Sequence, residues 1–336
     1  MEDVLIIGSG IAGLSCAHDL KDAGRSVRLL ERSRYPGGRI ATRTLDDEVF
    51  DYGPVFFHGE NAEFHEMLVK MAGKDLIPHW PKTILGRGTP CQPSAFYPGH
   101  FRMAVRGGMR KVTLALAENL TVETSADIQG LVQDRNSIRA ESHDGRSWSA
   151  STVVLALATE QTLTLLEASP TLKGLPQARV LGLFPSVPAF SLAAVYPETA
   201  PSPPWDIFYP ESGNILLVSN ETAKHKGRKL LLVFQTKPAW SRPRLQVPSE
   251  TWSAELLAEA GTLLGDWAAT PDQTHPHRWT YARHDQGANL PGSLLVQREG
   301  SYLGITGDIF SESHGIEGAF LSGKNMAKNL LRLTQP

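Results

Sequence analysis

Val4-Leu5-Ile6-Ile7-Gly8-Ser9-Gly10-Ile11-Ala12-Gly13-Leu14-Ser15-Cys16-Ala17-His18-Asp19-Leu20 runs from an unbroken apolar stretch through G-x-G-x-x-G into small and apolar residues. The first four residues do not alternate, which predicts a strand buried on both faces, as in a parallel sheet. A helix follows the glycines and ends near Gly24, a residue suited to the left-handed position after a helix. Val27-Arg28-Leu29-Leu30 reads as a second strand, closed by Glu31. Gly8 permits the tight turn, Gly10 lets the backbone approach a pyrophosphate, and Gly13 lets the helix pack closely on the strands. Ile11 and Ala12 open the helix, where free amides and the dipole favour an anion. Glu31, 18 residues after Gly13, is placed to accept from a ribose hydroxyl pair, and Arg32 is counted among the cofactor-binding residues. The negative charge of Glu31 disfavours a 2′-phosphate there. The fingerprint leaves NAD and FAD both open.

Composition bounds the rest. At 336 residues the chain suggests two domains, and 41% hydrophobic against 20% charged residues supplies a packed core. Lys plus Arg is 33 and Asp plus Glu is 35, a net charge of −2, which gives no basic footprint for nucleic acid. Two cysteines, Cys16 and Cys91, build neither a disulfide framework nor a multi-thiolate metal site, and no metal is expected. Apolar runs such as Val153 to Ala158 and Leu230 to Phe234 are far shorter than a membrane span, and the N-terminus shows no basic region of a signal peptide. A cytoplasmic protein without membrane partners is expected.

Further motifs favour FAD. Gly37-Gly38-Arg39 is followed by Phe50-Asp51-Tyr52-Gly53-Pro54, and near the end come Thr306-Gly307-Asp308, Gly315-Ile316-Glu317-Gly318-Ala319 and Ser322-Gly323. An NAD-only dehydrogenase, the simpler reading of the glycine turn, has no need of these. In this order they resemble the flavin-containing amine oxidase superfamily. The resemblance implies non-covalent FAD, with Asp308 on the ribityl hydroxyls and Arg39 on the diphosphate. The amides of Gly315, Ile316, Glu317 and Ala319 would face the flavin N1/C2 edge, and Ile128 would give a backbone contact to adenine. Gly38, Gly53, Pro54, Ala156 and Gly307 complete the cofactor set. Taken singly, Asp308 reads equally as a turn aspartate and Arg39 as a surface arginine. No second G-x-G-x-x-G follows a strand; Gly107-Gly108 lacks the third glycine. Any nicotinamide would therefore act as substrate.

The expected fold is α/β: a discontinuous Rossmann-type FAD-binding domain with a second, mixed-sheet substrate domain, of the amine oxidase and p-hydroxybenzoate hydroxylase kind. The FAD domain is assigned to residues 1–60, 100–160 and 285–336, and the substrate or lid domain to 61–99 and 161–284. Within these, Met109 to Leu120 and Ser253 to Trp267 read as helices. Thr121 to Ile128 and Val153 to Ala158 read as strands, and Asp144-Gly145 as a hairpin turn.

Within the superfamily the chain is similar to the renalase group, through Arg106-Gly107-Gly108-Met109, Trp240-Ser241-Arg242 and His277-Arg278-Trp279-Thr280-Tyr281-Ala282. It departs from that group after Gly53, where Pro54-Val55-Phe56-Phe57 and then His58 replace a small–polar–aromatic–aromatic pattern. The resemblance implies oxidation of a dihydronicotinamide dinucleotide, NAD(P)H or an isomer, with oxygen as acceptor. Such hydride transfer demands orientation and a dry site rather than an acid–base pair, so no catalytic residue is assigned. Phe57, Trp240, Trp279 and Tyr281 could wall a flat substrate, and His58 or His277 could bond a carboxamide or phosphate. The bland reading of each ring is core packing and of each imidazole a satisfied structural histidine. Amine oxidation is the rival reaction, with Lys82 conceivable near the flavin; a desaturase fits the length less well. A flavin-bound redox sensor without turnover is the reading from another class.

Overall fold

The computed structural model describes residues 2–90, 93–285, 289–313 and 315–333, so Cys91 lies outside the described residues. The chain divides into two compact units. One comprises Met1–Gly38, Thr113–Ser186 and Arg283–Pro336; the other comprises Arg39–Val112 and Val187–Ala282.

In the first unit the strand Glu2–Ile7 lies parallel to Val27–Leu30 on one side and Ser147–Leu155 on the other. Thr121–Glu123 extends the sheet in parallel beyond Val27–Leu30. The strand Ser147–Leu155 then forks: its first half pairs antiparallel with Ser137–Ser142 and its second half in parallel with Ser301–Ile305. Leu5, Ile6, Val153, Val154 and Leu155 are fully buried, as non-alternating central strands require. The helix Ile11–Asp22 closes at Ala23, and Gly24 takes φ +81° while its amide returns to the Lys21 carbonyl. The final helix, Gly315–Leu333, packs on this first helix. The approach is close because Gly323 has no side chain: a Cβ there would overlap the Ala12 carbonyl oxygen. Ser15 Oγ donates to the Phe320 carbonyl at 2.9 Å, and Lys324 pairs with Asp19 at 2.7 Å.

The second unit is built on a six-stranded sheet. Its central strands, Ser186–Val195 and Leu231–Thr236, are buried on both faces. Leu192, Ala194, Leu232 and Phe234 face a core with Trp252, Leu256 and Ala260. Ala193, Val195, Leu231 and Val233 face a smaller core with Phe50 and Tyr52. The helix supplying Trp252 runs over Ser249–Leu264 rather than 253–267, because Gly265 at φ +106° turns the chain into a separate 3₁₀ turn, Asp266–Ala269.

Other elements also shift against expectation. Thr121 to Ile128 is not one strand: Thr121–Glu123 ends before Ser125, which sits at φ +55°, and Ile128–Asp134 begins a new antiparallel hairpin with Ser137–Ser142. The compact units divide after residues 38, 112, 186 and 282. The strands Thr42–Leu45 and Glu48–Asp51 join the second unit because the Glu48 carboxylate accepts from the Arg228 and Lys229 amides at 2.8 and 2.9 Å. Leu165, Leu166, Leu172 and Leu181 join the first unit because they fill its core. Among the described residues no helix is long and apolar enough to cross a membrane.

Candidate functional site

The glycine turn of the first unit has the shape of a diphosphate cradle. Gly8 takes φ +101°, and a Cβ on it would stand 2.5 Å from the Ala156 carbonyl oxygen. A Cβ on Gly13 would overlap the Gly8 carbonyl oxygen, so both glycines are required by protein packing alone. Gly10 differs: a Cβ there would meet nothing within 4 Å. Gly10 is also the N-cap of the first helix and supplies no side chain to its amides. Open space before uncapped amides is what an incoming phosphate needs. The Gly37 amide donates to the Ser9 carbonyl at 2.9 Å, and Gly38, at φ +56°, approaches Gly10. Glu31 ends the second strand with its carboxylate buried against the same turn. Its Oε2 accepts from the Ser9 amide at 2.9 Å and the Ser9 hydroxyl at 2.7 Å, while Oε1 accepts from the Ser33 amide at 2.8 Å. Ser9 and Ser33 thus fix Glu31 in place. Arg32 points outward as an exposed side chain.

The carboxy-terminal motifs fall in the same unit. Thr306 Oγ1 and Ser322 Oγ lie 2.6 Å apart, and the Gly307 amide donates to Ser322 at 3.1 Å, which ties the Gly307-Asp308 turn to the last helix. Asp308 is buried, with the His284 ring nitrogen 3.9 Å from its carboxylate. Gly315, Ile316, Glu317 and Ala319 form the first turns of that helix, Glu317 and Ala319 being buried. Ile128 begins its strand half-buried against the core. These residues fit a diphosphate-linked dinucleotide: the cradle is open where Gly10 stands and closed where Gly8 and Gly13 stand.

In the second unit the sequence candidates separate. Phe57 is fully buried and packs edge-on against Phe64. Trp240 lies in the core beside Phe190, with Arg244 over its ring at 4.4 Å. Both rings make core packing contacts. Phe56, one residue earlier, is half-buried and groups with His58, Trp80 and Phe96. Trp279 stacks on Tyr52 at 5.5 Å and 18°, and its Nε1 donates to the Tyr52 carbonyl. A flat molecule sandwiched between rings needs about 7 Å, twice the usual contact distance, so this pair is closed. Arg39 donates to the Ala282 carbonyl at 3.1 Å. Arg278 donates to Val247 and lies over Phe190, so it is spent on packing.

His275, His277, Trp279 and Tyr281 occupy alternate positions of the strand Gln273–His284 and are half-buried. Tyr52 meets the first three, His277 most closely at 4.8 Å, and the Arg43 guanidinium lies 5.7 Å from the Tyr52 ring centre. Burial, aided by His275 and Arg43, pushes the His277 imidazole down to about 4. Burial and Arg43 lower His275 as well. Both rings are neutral near pH 7.

A buried ionic cluster escaped the sequence reading. Lys224 Nζ lies 2.9 Å from Asp51 Oδ2 and 2.7 Å from Glu221 Oε2, all three side chains being fully buried. His225 Nε2 lies 3.2 Å from Glu221 and 3.5 Å from Asp51, while its Nδ1 accepts from the Gly107 amide at 3.1 Å. The Met109 amide and Thr42 hydroxyl donate to Asp51 Oδ1, and Thr42 Oγ1 accepts in turn from the Arg110 amide. The Gly107-Gly108 motif therefore serves as the turn that delivers these amides to the cluster. Asp51, Glu221 and His225 converge closely enough to hold a cation, but the Lys224 ammonium already stands there. Burial alone would raise both carboxyls; the ammonium overcomes this and holds them below the usual carboxylate range. Burial would lower His225, yet its bonds to the two carboxylates outweigh that and raise it. The one local signal was Glu221-x-x-Lys224-His225, a helical ion-pair spacing indistinguishable from a solvated face.

Comparison with known proteins follows the same division of motifs. Residues 6–71 match the NAD(P)-binding Rossmann-like domain family, and residues 82–331 match the flavin containing amine oxidoreductase family. A carotenoid 3,4-desaturase of Haloarcula japonica is 46% identical over 56 residues, 17% of this chain and only 11% of the relative's length. A putrescine oxidase triple mutant superposes with a TM-score of 0.77 at 16% identity, covering 99% of both chains. A putative protoporphyrinogen oxidase from Exiguobacterium gives a TM-score of 0.77 at 12% identity, again covering 99% of both. At these identities the structural likeness concerns the fold.

Proposed function

The chain belongs to the flavin containing amine oxidoreductase family, and from that premise we propose that it is an FAD-dependent oxidase of a dihydronicotinamide dinucleotide or its isomer, renalase-like, with molecular oxygen as acceptor. FAD, held without a covalent link, supplies the ring that accepts the hydride. The chain's own residues bind and orient. The cradle of Gly8, Gly10 and Gly13 takes the diphosphate of FAD, and Glu31 and Asp308 take its hydroxyl-bearing parts.

The observation that carries the substrate class is the stripe of His275, His277, Trp279 and Tyr281 beside Tyr52 and Arg43. A half-buried run of rings bordered by a guanidinium suits a substrate that is flat at one end and anionic at the other. A neutral His277 can bond a carboxamide without bringing a charge that would oppose hydride departure. The amine reading asks for a lysine near the flavin. Lys224, the buried lysine among the described residues, has its ammonium committed to Asp51, Glu221 and the Val55 carbonyl.

The test is anaerobic mixing of FAD-loaded protein with NADH, borohydride-generated dihydronicotinamide isomers, benzylamine and putrescine. Loss of the visible flavin band with a dihydronicotinamide, and peroxide on readmitting air, is the expected result. Bleaching by an amine alone would make the protein an amine oxidase, and bleaching by none would favour the redox-sensor reading.

A further inference from the structure

Four parallel strands of the first unit end side by side. Leu30 lies beside Ile7, Ile7 beside Leu155, and Leu155 beside Ile305. The residues that follow are Glu31, Gly8, Ala156 and Thr306, so the glycine cradle, Glu31 and the Gly307-Asp308 turn share one carboxyl edge, where open parallel sheets bind their ligands. Three strand spacings separate the Glu31 end from the Thr306 end, about 14 Å, too far for one ribose to reach both. Beside Asp308 stands His284, which belongs to the same unit and ends the strand Gln273–His284. Its Nε2 lies 3.2 Å from Thr159 Oγ1, at the start of the helix that follows the third strand, and 3.9 Å from Asp308 Oδ1. Its Nδ1 is buried and has no hydrogen-bond partner among the described residues.

We infer that His284 is a further FAD-binding residue, which with Asp308 holds one hydroxyl of the ribityl chain. The inference rests on the FAD reading above. Nε2 faces two oxygens, one of them a carboxylate that only accepts, so a ring proton belongs on Nε2. A separation of 3.9 Å is too long for a hydrogen bond between the two side chains. It is the separation at which both can reach one intervening oxygen, at about 2.8 Å from each. That oxygen must accept from Nε2 and donate to the carboxylate, as a hydroxyl does and a phosphate beside a carboxylate does not. Thr159 keeps the ring turned toward this point. The ribose lies at the far end with Glu31, so the hydroxyl-bearing part of FAD left for this end is the ribityl chain.

The test is calorimetric titration of the full-length apoprotein with FAD and with ADP, which fills the cradle but has no ribityl chain. His284→Leu is expected to raise the FAD dissociation constant about tenfold and to leave that of ADP within about twofold, the loss of one buried hydrogen bond. His284→Gln, whose amide N–H reaches the place of Nε2, is expected to stay within about threefold of wild type for FAD, whereas the shorter His284→Asn behaves as the leucine variant. Unchanged FAD affinity in His284→Leu would overturn the inference and leave a water between the two side chains. Equal weakening of FAD and ADP would also overturn it, since His284 would then serve the fold of the whole crevice. Should the leucine variant fail to fold, the glutamine and asparagine variants, both polar, carry the same comparison, and equal FAD affinities in these two would be the overturning result. A wild-type protein that takes up no FAD would overturn the FAD reading together with this inference; a wild-type protein that takes it up, with variants that do so equally well, overturns the inference alone.

Discussion

Gly13 and Gly8 are in contact such that a methyl group on the first would overlap the carbonyl oxygen of the second, whereas Gly10 between them faces open space. The three glycines therefore answer to different demands, although the motif presents them as equals. Gly13→Ala must move backbone and is expected to destabilise the protein without FAD by about 2 kcal/mol or more. Gly10→Ala is expected to leave that stability within about 0.5 kcal/mol while raising the FAD dissociation constant at least about thirtyfold, since the methyl enters the phosphate space. Thermal unfolding of the apoprotein and quenching of flavin fluorescence measure the two effects. Equal loss of stability in both variants would show that Gly10 too is a packing glycine.

Glu31 is expected to matter before any ligand arrives. In Glu31→Gln one amide NH₂ must face a donor, either Ser9 or Ser33, because both carboxylate oxygens already accept from the protein. The apoprotein should lose about 1–3 kcal/mol in urea unfolding. A variant as stable as wild type and impaired only in FAD affinity would mean that the carboxylate is held for the ribose alone.

Stability should peak near the ordinary histidine pKa and fall on both sides for different reasons. His225 is raised in the folded protein, so its contribution is complete below about pH 6.5 and is lost as pH climbs through the raised value. His275 and His277 are lowered, so their contribution is complete above about pH 6.5 and is lost as pH falls, for His277 down to about 4. Asp51 and Glu221, also lowered, are fully stabilising above about pH 4 and lose their contribution below it. Urea unfolding at about pH 5, 6.5 and 8.5 should show His225→Gln flattening the alkaline side and His277→Gln the acidic side. Unchanged slopes in both variants would remove the histidines from the account.

What the sequence made legible follows from how local each signal was. The glycine turn, Glu31 and the Gly307-Asp308 turn are short-range patterns, and the strand–turn–helix around the glycines formed as read. The Asp51–Glu221 contact spans 170 residues, so nothing near either residue announced a buried pair. Trp240 lies in the string Trp240-Ser241-Arg242 that resembled a family motif, yet its ring is core, because a tryptophan next to a sheet serves packing as readily as binding. Ser125 ended a predicted strand by taking a left-handed conformation that its residue type does not advertise.

Pro54-Val55-Phe56-Phe57 was ambiguous for a further reason: four consecutive apolar residues carry no alternation to say which ring faces the core. The structure gives Phe57 to the core against Phe64 and leaves Phe56 half-buried beside Trp80 and Phe96. Phe57→Ala is therefore expected to cost about 3–5 kcal/mol, and Phe56→Ala roughly half as much because less area leaves water. The kinetic consequences should be reversed. Phe56→Ala should raise KM for the reducing substrate several-fold at unchanged FAD occupancy, while the folded fraction of Phe57→Ala should keep its KM. Steady-state assays on the two variants, normalised to bound flavin, decide between the rings. A raised KM in Phe57→Ala with Phe56→Ala unaffected would return Phe57 to the substrate wall, against its burial.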